Sequence, residues 1–171
     1  VARLTGVSPA APYRHFTGKE GLLAALAEEG FCALEQQMQS ASQATRGLAL
    51  AEFRAIGFAY VRFAARNPSH FCVMFSPEVS DKSEHPNLKE AADRASQIFA
   101  DAIANFQRPE LEGGDTDPQR LFISAWSTFH GLATLIVGGQ LKSSVGSDAE
   151  LEALGNSVTD VIYRGLSFSG L

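Results

Sequence analysis

Cysteine is nearly absent from these 171 residues: there are two, Cys32 and Cys72, and they lack C-x-x-C spacing. That excludes a disulfide framework and a thiolate zinc site, and predicts two core cysteines in a reducing cytosol. Histidine is equally thin, with His15, His70, His85 and His130 scattered along the chain. Only His70 approaches a cysteine, Cys72, and residues two apart on a helix point to different faces. No metal site and no cofactor are expected. The sequence also has no G-x-S-x-G, no H-E-x-x-H and no phosphate-cradling glycine loop. His130 as a general base finds only Ser127 and Thr134 at helical spacing, with nothing to orient it, so the chain does not read as an enzyme. Alternating strand patterns, internal repeats and low-complexity tracts are missing as well.

What is present is helical. The chain is 45% hydrophobic and long enough to bury one real core. Phe53, Ile56, Gly57, Tyr60, Phe63 and Ala64 fall on one stripe, with Arg54, Arg62 and Arg66 off it, and Asn67-Pro68 breaks that helix. Leu88, Ala91, Ala95, Ile98, Ala102 and Phe106 form a second stripe. Ser147 and Glu150 have capping-box spacing ahead of Leu151, Leu154, Val158, Val161 and Ile162. Loops are expected from Pro77 to Pro86, from Arg108 to Thr116 and around Ser143 to Gly146.

Acid is missing from one end. Arg3, Arg14 and Lys19 are the Lys and Arg of residues 1–19, and no Asp or Glu precedes Glu20, so the tip carries +3. The whole chain is at −5, which leaves −8 on the rest. A positive tip on an acidic body favours phosphate at one end only. Within that tip Ser8 is a good N-cap with Pro9 at the first helical position. Thr17 and Glu20 have capping-box spacing before Leu22, Leu23 and Leu26, which starts a long helix near Gly18 and carries it to about Gln43. The order is helix end, Gly6 turn, short helix, long helix, the grammar of a helix-turn-helix.

The pattern G-V-S-x-x-x-x-Y-x-H-F-x-x-K-E-x-L-L, from Gly6 to Leu23, resembles the DNA-binding segment of the Tet-repressor family. The resemblance implies an all-α fold: a helix-turn-helix DNA-binding segment, incomplete here, followed by a helical bundle for ligand binding and dimerisation. It implies that Tyr13, His15 and Lys19 hold phosphates, that Val7 and Phe16 pack the small core, and that Pro9, Ala10, Ala11 and Arg14 lie toward base edges. Of these, Arg14 alone can make a bidentate contact to guanine. Pro12 departs from the family's usual helix former and removes a hydrogen bond to the carbonyl of Ser8. The sequence begins at Val1, part-way through the motif's second helix, so earlier residues are expected to complete it. The expected division is a partial DNA-binding domain with its connecting helix over residues 1–45, and a ligand-binding and dimerisation domain over residues 46–171.

Leu121 to Leu141 contains no Lys, Arg, Asp or Glu and nearly matches the span of a hydrocarbon core. Ser124, Ser127, Thr128, His130, Thr134, Gln140 and three glycines thin its apolar content, so a buried helix is expected rather than a membrane span. A helix apolar all round must be covered all round, and in a small bundle a second copy does this. A homodimer is therefore expected, with this helix and the next at the interface through Leu151, Leu154, Val158 and Ile162. Trp126, His130 and Gly131 make a W-x-x-x-H-G pattern, and P-x-x-F-x-x-M-F runs from Pro68 to Phe75. Both are similar to a Tet-repressor subfamily named for the first pattern. Twelve Phe are many for a bundle that only packs. The expected cavity lining is Phe58, Tyr60, Phe63, Phe71, Met74, Phe75, Phe99, Phe122, Trp126 and His130. The implied protein is cytoplasmic, a repressor that binds double-stranded operator DNA as a homodimer and is released by a small hydrophobic effector. A helical interaction or small-molecule-binding module without DNA binding is the alternative.

Overall fold

Glycine and proline set the boundaries of the helices. The computed structural model describes residues 18–106, 117–141 and 146–167, and among these all regular structure is helical. Helix α1 (Gly18–Ala44) begins at a glycine with φ +77° and ends where Thr45 Oγ1 donates to the carbonyl of Ala41 at 2.9 Å. Gly47, at φ +87°, turns the chain into α2 (Ala49–Arg66). A hydroxyl of α1 stitches the corner: Ser42 Oγ donates to the buried Glu52 carboxylate at 2.5 Å. Asn67 closes α2 by donating its backbone and side-chain N–H groups to the carbonyl of Phe63, at 2.8 and 3.0 Å. Pro68 then opens the short α3 (Pro68–Met74), where its missing N–H loses nothing.

A 3₁₀ turn (Pro77–Val79) leads to α4 (Pro86–Phe106), and Asp117 caps α5 (Pro118–Val137) by accepting from the Gln119 N–H at 2.9 Å. Helix α6 (Asp148–Ser167) starts on the expected capping box. The Glu150 N–H donates to Ser147 Oγ at 3.3 Å, while the Glu150 carboxylate accepts from the Gly146 N–H at 2.8 Å.

Helix α2 is the central rod, with α1, α4, α5 and α6 packed around it and α3 laid against α1. Its stripe of Phe53, Ile56, Gly57, Tyr60, Phe63 and Ala64 is buried throughout. From α4, Leu88, Ala91, Ala95, Phe99 and Ala102 join this core. One expectation is corrected here. Cys32 is half-buried, but Cys72 is exposed, because α3 turns Phe71 and Met74 inward and the position after Phe71 faces out.

Helix α5 has the length and composition to cross a membrane. It nevertheless buries Ala125, Phe129, Leu132 and Ala133 against the bundle. Two of its exposed hydroxyls are satisfied within the helix, Thr128 by the carbonyl of Ser124 and Thr134 by that of His130, each at 2.8 Å. Ile123 and Leu135 stay 50% and 45% exposed, so the face of α5 turned away from the bundle is uncovered in the single chain.

Candidate functional site

Helix α1 presents Phe31, Leu34 and Met38, spaced to share one face, toward α4 and α5. Opposite them α4 offers Ala92 and Ala95, which have no side chain beyond Cβ, and the space they leave is a cavity of about 270 Å³. Phe75, Phe99, Phe122, Trp126 and Tyr60 complete an aromatic wall. Phe122 and Trp126, one turn apart on α5, are stacked at 6.3 Å, and Phe99 meets Phe122 edge-on at 6.0 Å. A cavity of this size suits a small ligand, since pockets for drug-sized molecules start at about 300 Å³.

The floor is polar and closed on itself. Tyr60 Oη and His130 Nδ1 are 2.7 Å apart, and Trp126 hydrogen-bonds the Tyr60 side chain. Indole N–H is a donor only, so the phenol oxygen accepts from Trp126, while the direction of its bond to His130 follows from the imidazole tautomer. Burial pushes the Tyr60 phenol well above its ordinary pKa of 10.0, with the Trp126 hydrogen bond acting the other way. Burial also lowers the His130 pKa from 6.5, which favours the neutral ring. The cause is visible: Phe75, Phe71, Trp126 and Tyr60 surround the imidazole at 4.6, 5.3, 5.5 and 6.3 Å between ring centroids.

This gives a pH-dependent stability. Above pH 6.5 neither state binds the His130 proton; as pH falls below 6.5 the unfolded chain takes it up first, so stability declines until the lower folded value is reached. His130→Gln, which can still hydrogen-bond Tyr60, is expected to flatten that decline. Urea midpoints measured between roughly pH 8 and roughly pH 5 check this, and equal slopes in the two proteins would remove His130 as the cause.

Of the residues expected to line a ligand cavity, Tyr60, Phe75, Phe99, Phe122 and Trp126 come together around it. Phe71 and His130 form the second layer behind them, while Phe63 and Met74 are fully buried in the core. Phe58 lies elsewhere, in an open groove of α1, α2 and α6 beneath the Arg62 guanidinium, 5.3 Å from its ring. Sequence reasoning missed the α1 wall, Ala92, Ala95, Ser96, and the charged rim of Lys82 and Asp93. The spacing of Phe31, Leu34 and Met38 was the available signal for that wall.

Pro9, Ala10, Ala11, Tyr13, Arg14 and His15 lie outside the described residues. Lys19 is exposed at the start of α1, its Nζ 3.7 Å from Glu78, and His85 lies 3.5 Å from Glu20. On α6, Leu151 is buried within the chain, and Leu154, Val158 and Ile162 are half-buried against its core. Val161 is 69% exposed.

Residues 53–160 match the model of a family described as tetracyclin repressor-like, C-terminal domain. Among solved structures, a protein of unknown function from Rhodococcus sp. RHA1 is similar to this chain, with 30% identity and a TM-score of 0.72. The match covers 96% of this chain and 81% of that one. No curated protein matches.

Proposed function

Because the chain belongs to the tetracyclin repressor-like family through its C-terminal domain, we propose that it is a ligand-responsive repressor that binds operator DNA as a homodimer and is released by a small, largely apolar effector. The observation that carries this reading is that one helix serves both ends. Helix α1 supplies Phe31, Leu34 and Met38 to the aromatic cavity and carries Lys19 at its start, beside the cationic tip. Residues 1–45 act as the reading end and residues 46–171 as the sensing and pairing end. The W-x-x-x-H-G pattern of Trp126, His130 and Gly131 has a physical role in this reading, since Trp126 walls the cavity and His130 anchors its floor.

Two recognition helices must sit about 34–36 Å apart to enter successive major grooves. A ligand that presses on Phe31 and Met38 shifts α1 and with it that spacing. It does so only by its differential affinity for the two arrangements. The test is titration of the full-length protein with duplex DNA from upstream of its own gene. Tight, salt-dependent binding is expected, and no binding would leave a helical interaction module in its place.

Within that assay Lys19→Ala is expected to weaken binding alike on all sequences and to reduce the salt slope by about 1, as loss of one phosphate contact does. Arg14→Ala is expected to cost about 1–3 kcal/mol and to relax base preference at one position. Equal effects of Arg14→Ala on all sequences would remove Arg14 from base readout.

A further inference from the structure

The inner end and the rim of the cavity ask for different chemistry. At the inner end the Tyr60 hydroxyl and the His130 imidazole are already hydrogen-bonded to each other, and the surrounding surface is aromatic. That end receives an apolar group. At the rim stand Lys82, Asp93 and Ser96. Asp93 is ion-paired with Lys89 one helical turn before it, so its charge is answered locally. The nearby Arg94 is likewise engaged, by Glu35 and Glu90 at 3.0 Å each. Lys82 differs. Among the described residues it has no ion pair, and its ammonium lies over the Phe31 ring, 5.7 Å from the centroid. It is half-buried, so its charge is less screened than that of a solvated surface lysine.

Resting on the reading of this cavity as the effector site, we propose that the effector is a small organic anion. Its apolar body, about the size of a phenylalkyl group, fills the space between Phe31, Phe99 and Trp126, and its anionic group lies on Lys82.

The chain reports on this directly, because Trp126 is its one tryptophan and stands in the cavity wall. Three probes of equal body separate the charges: 4-phenylbutanoate, 4-phenylbutanamide and 4-phenylbutylamine. Each is titrated against the full-length protein by Trp126 fluorescence and by calorimetry. The carboxylate is expected to bind roughly tenfold more tightly than the amide, the scale of a charge-assisted contact, and the amine more weakly still. Lys82→Met should erase the preference, the carboxylate losing far more affinity than the amide, and Lys82→Arg should restore it. Amide and carboxylate binding equally to the unaltered protein, or a preference that survives Lys82→Met, overturns the anion assignment and leaves the cavity as the effector site. Silence from all three probes, with far-UV spectra unchanged, overturns the cavity reading and this proposal with it.

Discussion

Gly57→Ala is expected to destabilise the chain by about 1–3 kcal/mol, although alanine is the better helix former by about 1 kcal/mol. A Cβ at Gly57 would lie 2.3 Å from Phe129 Cζ and 2.5 Å from its Cε1. The ring has nowhere to retreat: Phe129 is fully buried, with Phe53 and Phe99 edge-on to it at 5.7 and 5.8 Å. Overpacking in a close-packed core therefore outweighs the propensity gain. The expected fall in Tm is roughly 3–10 °C for a chain of this size. Gly155 supplies the contrast, since a Cβ there would meet Phe58 Cδ2 at 3.8 Å, an ordinary contact. Gly155→Ala should be neutral or stabilising by up to about 1 kcal/mol. Phe129→Leu combined with Gly57→Ala should recover part of the loss of each single change, because the smaller side chain vacates the space the new methyl needs. Full additivity in that cycle would mean that the two positions do not share a contact.

The Gly57 contact marks where sequence reading stops. Periodicity shows that Gly57 lies on the buried stripe of α2, but that its partner is the ring of Phe129 depends on how α5 settles on α2. Local signals were legible because their physics is local. Asn67-Pro68 ends a helix by steric clash, and Ser147 with Glu150 starts one by reciprocal hydrogen bonds. The cavity was only half legible. Phe122 and Trp126 share a face because they are one turn apart, but Phe58 and Tyr60 are about 200° apart round a helix and belong to different faces, which spacing alone should separate. Phe63 and Met74 are indistinguishable by type from cavity residues, and only packing decides that they fill the core. Ala92 and Ala95 bound the cavity through what they lack, and a missing volume has no signature until its neighbours are placed. Lys82 sits in a loop with no periodicity to read.

The largest functional effect is expected from a charge on the uncovered face of α5. Ile123, Ser127, Gly131 and Leu135 follow one another along that face, with the apolar members 50% and 45% exposed. A Cβ on Gly131 would meet nothing within 4 Å in the single chain, so a partner's backbone has room to approach there. Val161 of α6, 69% exposed, adds a second apolar anchor if the same seam includes that helix. Burying a Leu or Val side chain stabilises by about 1.5–3 kcal/mol, and a two-fold seam counts each residue twice. Leu135→Glu therefore both removes that burial and forces two like charges together. The proposed dimer is expected to weaken more than about a hundredfold, roughly 2.7 kcal/mol, so that sedimentation at micromolar concentration gives the monomer mass. Operator affinity should fall with it, because each reading tip then binds a half-site alone. Leu135 is a cleaner test than Leu154 or Val158, whose half-buried side chains also pack the chain's own core, so a charge there confounds folding with pairing. Gly131→Ala separates the two further: the isolated chain tolerates the methyl, and only a partner's close approach makes it costly. A Leu135→Glu protein that keeps both its dimeric mass and its grip on DNA would place the seam on another face.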